Sequence, residues 1–284
     1  MSKEKNVLLK DILQESLSRH RAVGQFNFST ACQLAGIAEA SRQTQTPVIC
    51  GTSENEASFV GIETAVFLRD KFKKEMGVNL FLNLDHGKSF ETIKKAVDAG
   101  YDMVHFDGSE MTVEESTQIA QKVVRYAQEK GVVVEGEISK IGGSSAVSEQ
   151  AIEEEPLTSL DKIVKFIADT KVDCVALDVG NVHGIYSTMP QLHLERINEL
   201  LEKVSCFVVL HGGSGIEDVK IKDAVNRGVV KININTELRI SWRDAIRNEM
   251  KNKPQESTPY KILPTGSSAV CQKVMEKINL FNNL

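Results

Sequence analysis

Three of the chain's six histidines stand immediately before a glycine, as His86-Gly87, His183-Gly184 and His211-Gly212. Each lies at or just beyond the end of an apolar run and reads as the polar end of a strand. Imidazoles brought to one point suit a borderline divalent metal such as Zn2+ with an open coordination position. The spacing is too wide for a sequence-local ligand motif, so the three meet only if a fold gathers strand ends. Asp85 precedes His86 directly and is a candidate general acid–base beside such a metal. Neighbours on a regular strand point to opposite faces. Asp85 and His86 therefore reach one pocket only where the strand breaks, and Gly87 is expected to permit the break.

Other strand ends carry Asn27, Ser53, Asp107, Glu135, Glu137, Asn233 and Thr236. Glu137 is placed to complete a metal shell, with Glu135 on the same strand face to support it or to orient a substrate. His105 shares a face with Asp107 and reads as a packed, hydrogen-bonded histidine, whereas His20 and His193 fall on helical patterns and read as solvated. The run His211-Gly212-Gly213-Ser214-Gly215-Ile216-Glu217 is a glycine-rich turn from strand to helix, whose backbone N–H groups form an anion site. Arg239, one helical turn past Thr236, could hold a second anionic group.

The elements that must position these residues follow one another regularly. A leading helix is expected over 7–20. Strands are expected over 22–28, 47–50, 81–85, 103–106, 132–134, 174–179, 206–210 and 229–234. Helices are expected over 31–43, 59–74, 90–99, 113–130, 157–170, 192–203, 217–226 and 237–250, with a C-terminal helix over 267–284 and a long loop over 139–155. Strict alternation implies parallel strands, and eight units close into a (β/α)8 TIM barrel, one domain spanning 1–284, whose carboxyl strand ends share a single face. A doubly wound open sheet is the alternative, but no Gly-x-Gly-x-x-Gly follows the first strand.

Bulk properties narrow the partners. With 41% hydrophobic and 26% charged residues the composition is that of a soluble protein, and a net charge of −5 argues against nucleic-acid and anionic-membrane partners. The five cysteines are scattered, which predicts free thiols and a reducing compartment. The N-terminal stretch has no signal-peptide core and no later stretch is apolar enough to span a bilayer, so a cytoplasmic location is expected.

The motifs resemble those of the class II, zinc-dependent ketose-bisphosphate aldolases, the fructose- and tagatose-bisphosphate aldolase family. They are Val23-Gly24-Gln25-Phe26-Asn27, Leu84-Asp85-His86-Gly87, Phe106-Asp107-Gly108-Ser109, Val134-Glu135-Gly136-Glu137, His183-Gly184-x-Tyr186, Leu210 to Gly215, and Lys231 to Glu237. The resemblance implies that His86, His183 and His211 hold zinc, with Glu137 and Asp107 at an alternate or second metal position. It implies Lewis-acid cleavage of a ketose 1,6-bisphosphate, fructose 1,6-bisphosphate first, into dihydroxyacetone phosphate and glyceraldehyde 3-phosphate. Asp85 then takes the C4 hydroxyl proton in cleavage and returns it in condensation. Gly184, Gly212, Gly213, Ser214, Asn233, Asn235 and Thr236 surround the dihydroxyacetone phosphate portion, while Arg239 matches an arginine that meets the far phosphate. Also implied are a homodimer or homotetramer and, in some members, a monovalent cation (Na+ or K+) near the phosphate.

The chain departs from the family pattern in the long loop. Ser145 stands where a mobile-loop glutamate is usual, with Glu149 four residues on, and Ser187 replaces a common lysine. Asn235, where members vary, leans toward fructose over tagatose. Two other readings compete: a Schiff-base aldolase using Lys231, and a zinc- and phosphate-binding barrel that has lost aldol chemistry.

Overall fold

The computed structural model describes residues 8–148, 156–186 and 191–283. Ten strands are present among them: β1 (Val23–Asn27), β2 (Val48–Ser53), β3 (Leu80–Gly87), β4 (Met103–Asp107), β5 (Val133–Glu137), β6 (Gly143–Ser148), β7 (Cys174–Ala176), β8 (His183–Tyr186), β9 (Phe207–Leu210) and β10 (Val229–Ile234). Eight of them close a parallel barrel in the order β1-β2-β3-β4-β5-β7-β9-β10, and β6 pairs with β8 in a separate two-stranded parallel sheet. Glu149 and Ser187 lie outside the described residues, and Ser145 falls within β6.

Alternation along the strands sorts side chains into two environments. Outward residues such as Leu80, Leu82 and Leu84 of β3 and Val104 and Phe106 of β4 join the large cluster beneath the surrounding helices. Inward residues split by height. At the amino ends Val23, Ile49, Phe81, Met103, Val133, Cys174, Val209 and Val230 form a second apolar cluster, closed from below by Leu9 and Leu13 of the leading helix Leu9–Ser18. Above it the same strands turn inward Gln25, Asn83, His105, Glu135, Lys231 and Asn233, all buried. A register shift between Val229 and Lys231 lets consecutive residues of β10 serve both levels. The apolar floor and polar upper half gather the inward polar side chains of these strands toward the mouth.

Register sets the upper level: Ser53 lies opposite Asp85, His105 opposite Glu135, and Asp107 opposite Glu137. Several elements differ from the sequence expectation. The helix expected over 59–74 is two helices, Glu54–Val60 and Ile62–Met76, because Ser53 and Glu56 form a capping box that starts the first and Gly61, at φ +89°, ends it. The last helix begins at Pro259, where a proline in the first turn forfeits no intrahelical bond. The strand expected over 174–179 stops at Ala176, and the long loop contains β6.

Leu13 is fully buried in the floor. Leu13→Ala is expected to cost about 2–5 kcal/mol, seen as a lower urea midpoint, without changing metal content, since the floor does not reach the mouth.

Candidate active site

Near the end of β3 the regular pleat breaks at His86, whose φ of +53° is left-handed, and the β3–β4 register shifts between Leu84 and Gly87. Asp85 and His86 consequently both line one cavity of about 270 Å3 at the barrel mouth. The break is one residue earlier than the sequence suggests. Gly87 supplies room rather than a left-handed φ: a Cβ there would stand 2.8 Å from Ile93 Cγ1 and 3.1 Å from the His105 carbonyl oxygen.

Asp85 accepts hydrogen bonds from Asn27 Nδ2 (2.9 Å) and Asn233 Nδ2 (3.1 Å), one on each oxygen. Burial pushes its carboxyl pKa up, but the imidazoles of His86, His105 and His211 outweigh burial and hold it well below the usual carboxylate range. Asp85 is therefore a fixed, ionised acceptor at the cavity wall.

His86 and His211 face each other with His86 Nε2 and His211 Nδ1 3.2 Å apart. The outer nitrogen of each meets a carboxylate: His86 Nδ1 lies 2.9 Å from Asp107 Oδ2, and His211 Nε2 lies 2.5 Å from Glu135 Oε1. A carboxylate accepts only, so each outer nitrogen carries a proton, and in the neutral rings the facing nitrogens present lone pairs. Lone pairs at that distance repel unless a cation lies between them. Their separation is close to the ~3.3 Å expected of two nitrogens in a tetrahedral shell with bonds of about 2.0–2.1 Å. Burial opposes protonation of His86, yet Asp85, Asp107 and Glu137 outweigh it and raise its pKa, as befits a place that draws a cation.

His183 reaches the cluster by a different route. The chain turns at Gly180 (φ +85°), and the Asn181 side chain accepts from the Val179 N–H and donates to the His211 carbonyl. His183 then opens β8, its N–H bonded to the Gly142 carbonyl at 2.8 Å. Its ring centroid lies 5.1 Å from that of His86 and 5.9 Å from that of His211. Burial, reinforced by the neighbouring His86 and His211, lowers its pKa to about 3, and burial lowers His211 as well, so both imidazoles stay neutral and able to ligate. The tightest ligand groups are Asp85, His86, His105 and His211, and separately His86, Asp107 and Glu137. His183 stands beside these groups rather than within them. Glu137 Oε2 is buried without a hydrogen-bond partner, lying 3.1 Å from His105 Nε2 but out of line with it. Facing lone pairs and an orphaned carboxylate oxygen fit a divalent metal at this mouth.

Of the residues singled out from sequence, Asn27, Ser53, Asp85, His86, His183, Gly184, Gly212, Ser214, Asn233, Asn235, Thr236 and Arg239 all line the 270 Å3 cavity. Asp107 and Glu137 line an adjoining cavity of about 390 Å3 that shares His86 and His183. Gly213 lines neither: its N–H is bonded to the Asn233 carbonyl, and a Cβ there would stand 2.6 Å from Ile232 Cγ2. It is a close-packing glycine, not an anion ligand. Gly212, at φ +60° with its Cβ position 2.4 Å from the Val182 carbonyl oxygen, is needed both for conformation and for room. Asn235 and Thr236 begin the helix Thr236–Asn252, whose N-terminus beside Ser214 favours an anion. Lys231 is fully buried, its Nζ bonded to Glu135 Oε2 (2.7 Å) and Asn233 Oδ1 (2.8 Å). That leaves no place for a carbonyl carbon at Nζ, against the Schiff-base reading. Sequence reasoning missed Asn55, which lines the cavity, and Glu56, which supports it; the Ser53-x-x-Glu56 spacing was the available signal.

The family model described as "Fructose-bisphosphate aldolase class-II" matches residues 7–284. A fructose-bisphosphate aldolase from Geobacillus stearothermophilus is 35% identical over 98% of this chain and 97% of its own length. A sulfofructosephosphate aldolase from Alkalicoccus urumqiensis is 32% identical over 96% of each chain. Among solved structures, the YdjI aldolase from Escherichia coli K12 superposes with a TM-score of 0.82 at 26% identity, covering 97% of this chain and 96% of that one.

His211→Ala removes one of the two facing nitrogens. Elemental analysis of the purified variant is expected to show metal below one-tenth of an equivalent, against about one for the unaltered chain; full retention would remove His211 from the ligand set.

Proposed function

Because the chain belongs to the class-II fructose-bisphosphate aldolase family, and members of that class are metal-dependent lyases, we propose that it cleaves a phosphorylated ketose into dihydroxyacetone phosphate and an aldehyde, with Zn2+ held by His86, His183 and His211. The observation that carries this reading is the pair of facing imidazole nitrogens, each ring's outer nitrogen held by a carboxylate, beside an ionised Asp85. Bound there, the metal supplies Lewis-acid polarisation of the ketose carbonyl. Asp85 is positioned by Asn27 and Asn233 to accept the C4 hydroxyl proton as the C3–C4 bond breaks, and to return it in condensation. Gly184, Gly212, Ser214 and Thr236 receive the phosphate. Asp107 and Glu137 orient His86 or offer an alternate metal position, and a monovalent cation, Na+ or K+, beside the phosphate belongs to the same proposal.

Fructose 1,6-bisphosphate, the expectation from sequence, is the first substrate to assay, with tagatose 1,6-bisphosphate as comparator. The five free cysteines support the cytoplasm as its location, and among the described residues no helix is long and apolar enough to cross a membrane. We take the chain to act as one domain within a homodimer or homotetramer.

Chelation is expected to abolish dihydroxyacetone phosphate release and added Zn2+ to restore it. Asp85→Asn is expected to lower kcat by about 10²–10⁴-fold while metal content is kept. Activity that survives complete chelation would overturn the metal-dependent reading. A zinc-loaded protein that binds dihydroxyacetone phosphate but cleaves no ketose phosphate would instead favour a barrel that has lost its aldol chemistry.

A further inference from the structure

Glu56 is a buried carboxylate that the proposed reaction does not use. Its Oε2 accepts from the Ser53 N–H (2.8 Å) and Asn27 Nδ2 (3.0 Å). Its Oε1 accepts from Arg239 (2.7 Å) and Asn235 Nδ2 (3.4 Å). All four partners line the cavity, as do Gly212 and Ser214 of the glycine turn that is suited to phosphate.

Two consequences follow from these contacts. The Arg239 guanidinium already has a carboxylate against it, so an anionic group brought to Arg239 also meets the negative charge of Glu56. The Asn235 amide is oriented as well. Its nitrogen must face the carboxylate, which only accepts, and its Oδ1 is thereby turned elsewhere, buried and without a hydrogen-bond partner. A buried orphan acceptor is satisfied by a donor such as a hydroxyl, and a phosphate dianion offers acceptors alone. Charge and hydrogen-bond polarity therefore point the same way.

We propose that Glu56 is a specificity-determining residue that sets the far end of the cavity for an uncharged, hydroxyl-bearing chain, so that ketose 1-phosphates are preferred over ketose bisphosphates. The inference rests on the aldolase reading only in taking the ligand to be a ketose phosphate. The glycine turn holds the single phosphate, Asn235 Oδ1 accepts from a sugar hydroxyl, and Glu56 discriminates against a second phosphate by like-charge repulsion.

The test compares binding of fructose 1-phosphate and fructose 1,6-bisphosphate by calorimetry, using zinc-loaded Asp85→Asn protein so that cleavage does not intervene. It is repeated in the same background with Glu56→Gln, a change that keeps the capping-box geometry. The monophosphate is expected to bind more tightly when Glu56 is present, and Glu56→Gln is expected to shift the affinity ratio toward the bisphosphate by about tenfold or more. Tighter binding of the bisphosphate by protein that retains Glu56 overturns the proposal without reference to the variant. A ratio unmoved by Glu56→Gln also overturns it, because a purely structural role weakens both sugars alike, and so does failure of both sugars to bind. Cleavage by protein with Asp85 intact reports separately on the reaction. Sugars that bind in the expected ratio but release no dihydroxyacetone phosphate leave the role of Glu56 standing and remove the aldolase reading.

Discussion

Glu135 has no solvent exposure, and each of its oxygens is held by a partner, Lys231 Nζ at 2.7 Å and His211 Nε2 at 2.5 Å. The upper half of the barrel is built around that contact. An unpaired charge in such a place is severely penalised, and removing one partner of a buried pair typically costs about 3–5 kcal/mol. Burial pushes the Glu135 carboxyl pKa up, but Lys231, His105 and His211 bring it below the usual range. With Glu135 ionised, the His211 proton is fixed on Nε2 and its Nδ1 turned toward His86. Lys231 also accepts orientation duty for Asn233, whose amide holds Asp85. One buried ion pair thus governs both the candidate metal ligand and the candidate base, which explains why a lysine and a glutamate face inward on β10 and β5.

Most of the barrel was legible in the sequence because the information there is local. Period-two alternation located the strands, glycines and capping residues marked the turns, and the strict order of elements implied closure. The polar strand ends were legible as a group for the same reason. What escaped reading depended on contacts between distant segments. His183 belongs to a ribbon whose existence requires β6 and β8, which are separated by a helix and a barrel strand, to pair; neither segment announces a partner. Gly213 sits in a run of glycines that looks uniformly suited to an anion, yet packing against Ile232 assigns it a different task. Glu56 was visible as half of a capping box with Ser53, but its other three partners, Asn27, Asn235 and Arg239, come from two distant places in the chain. The left-handed conformation of His86 could not be anticipated next to a glycine better suited to it.

The two-stranded sheet outside the barrel has a kinetic consequence. His86 lies in barrel strand β3 and His211 directly follows barrel strand β9. On the proposed assignment the third imidazole is carried by a ribbon of two short strands with no barrel neighbour, an element whose opening is far less costly than global unfolding. Metal exchange is then set by the lifetime of that ribbon rather than by the lifetime of the native state. The protein would surrender and recapture its ion while folded, and its residence time would answer to whatever packs on β6 and β8.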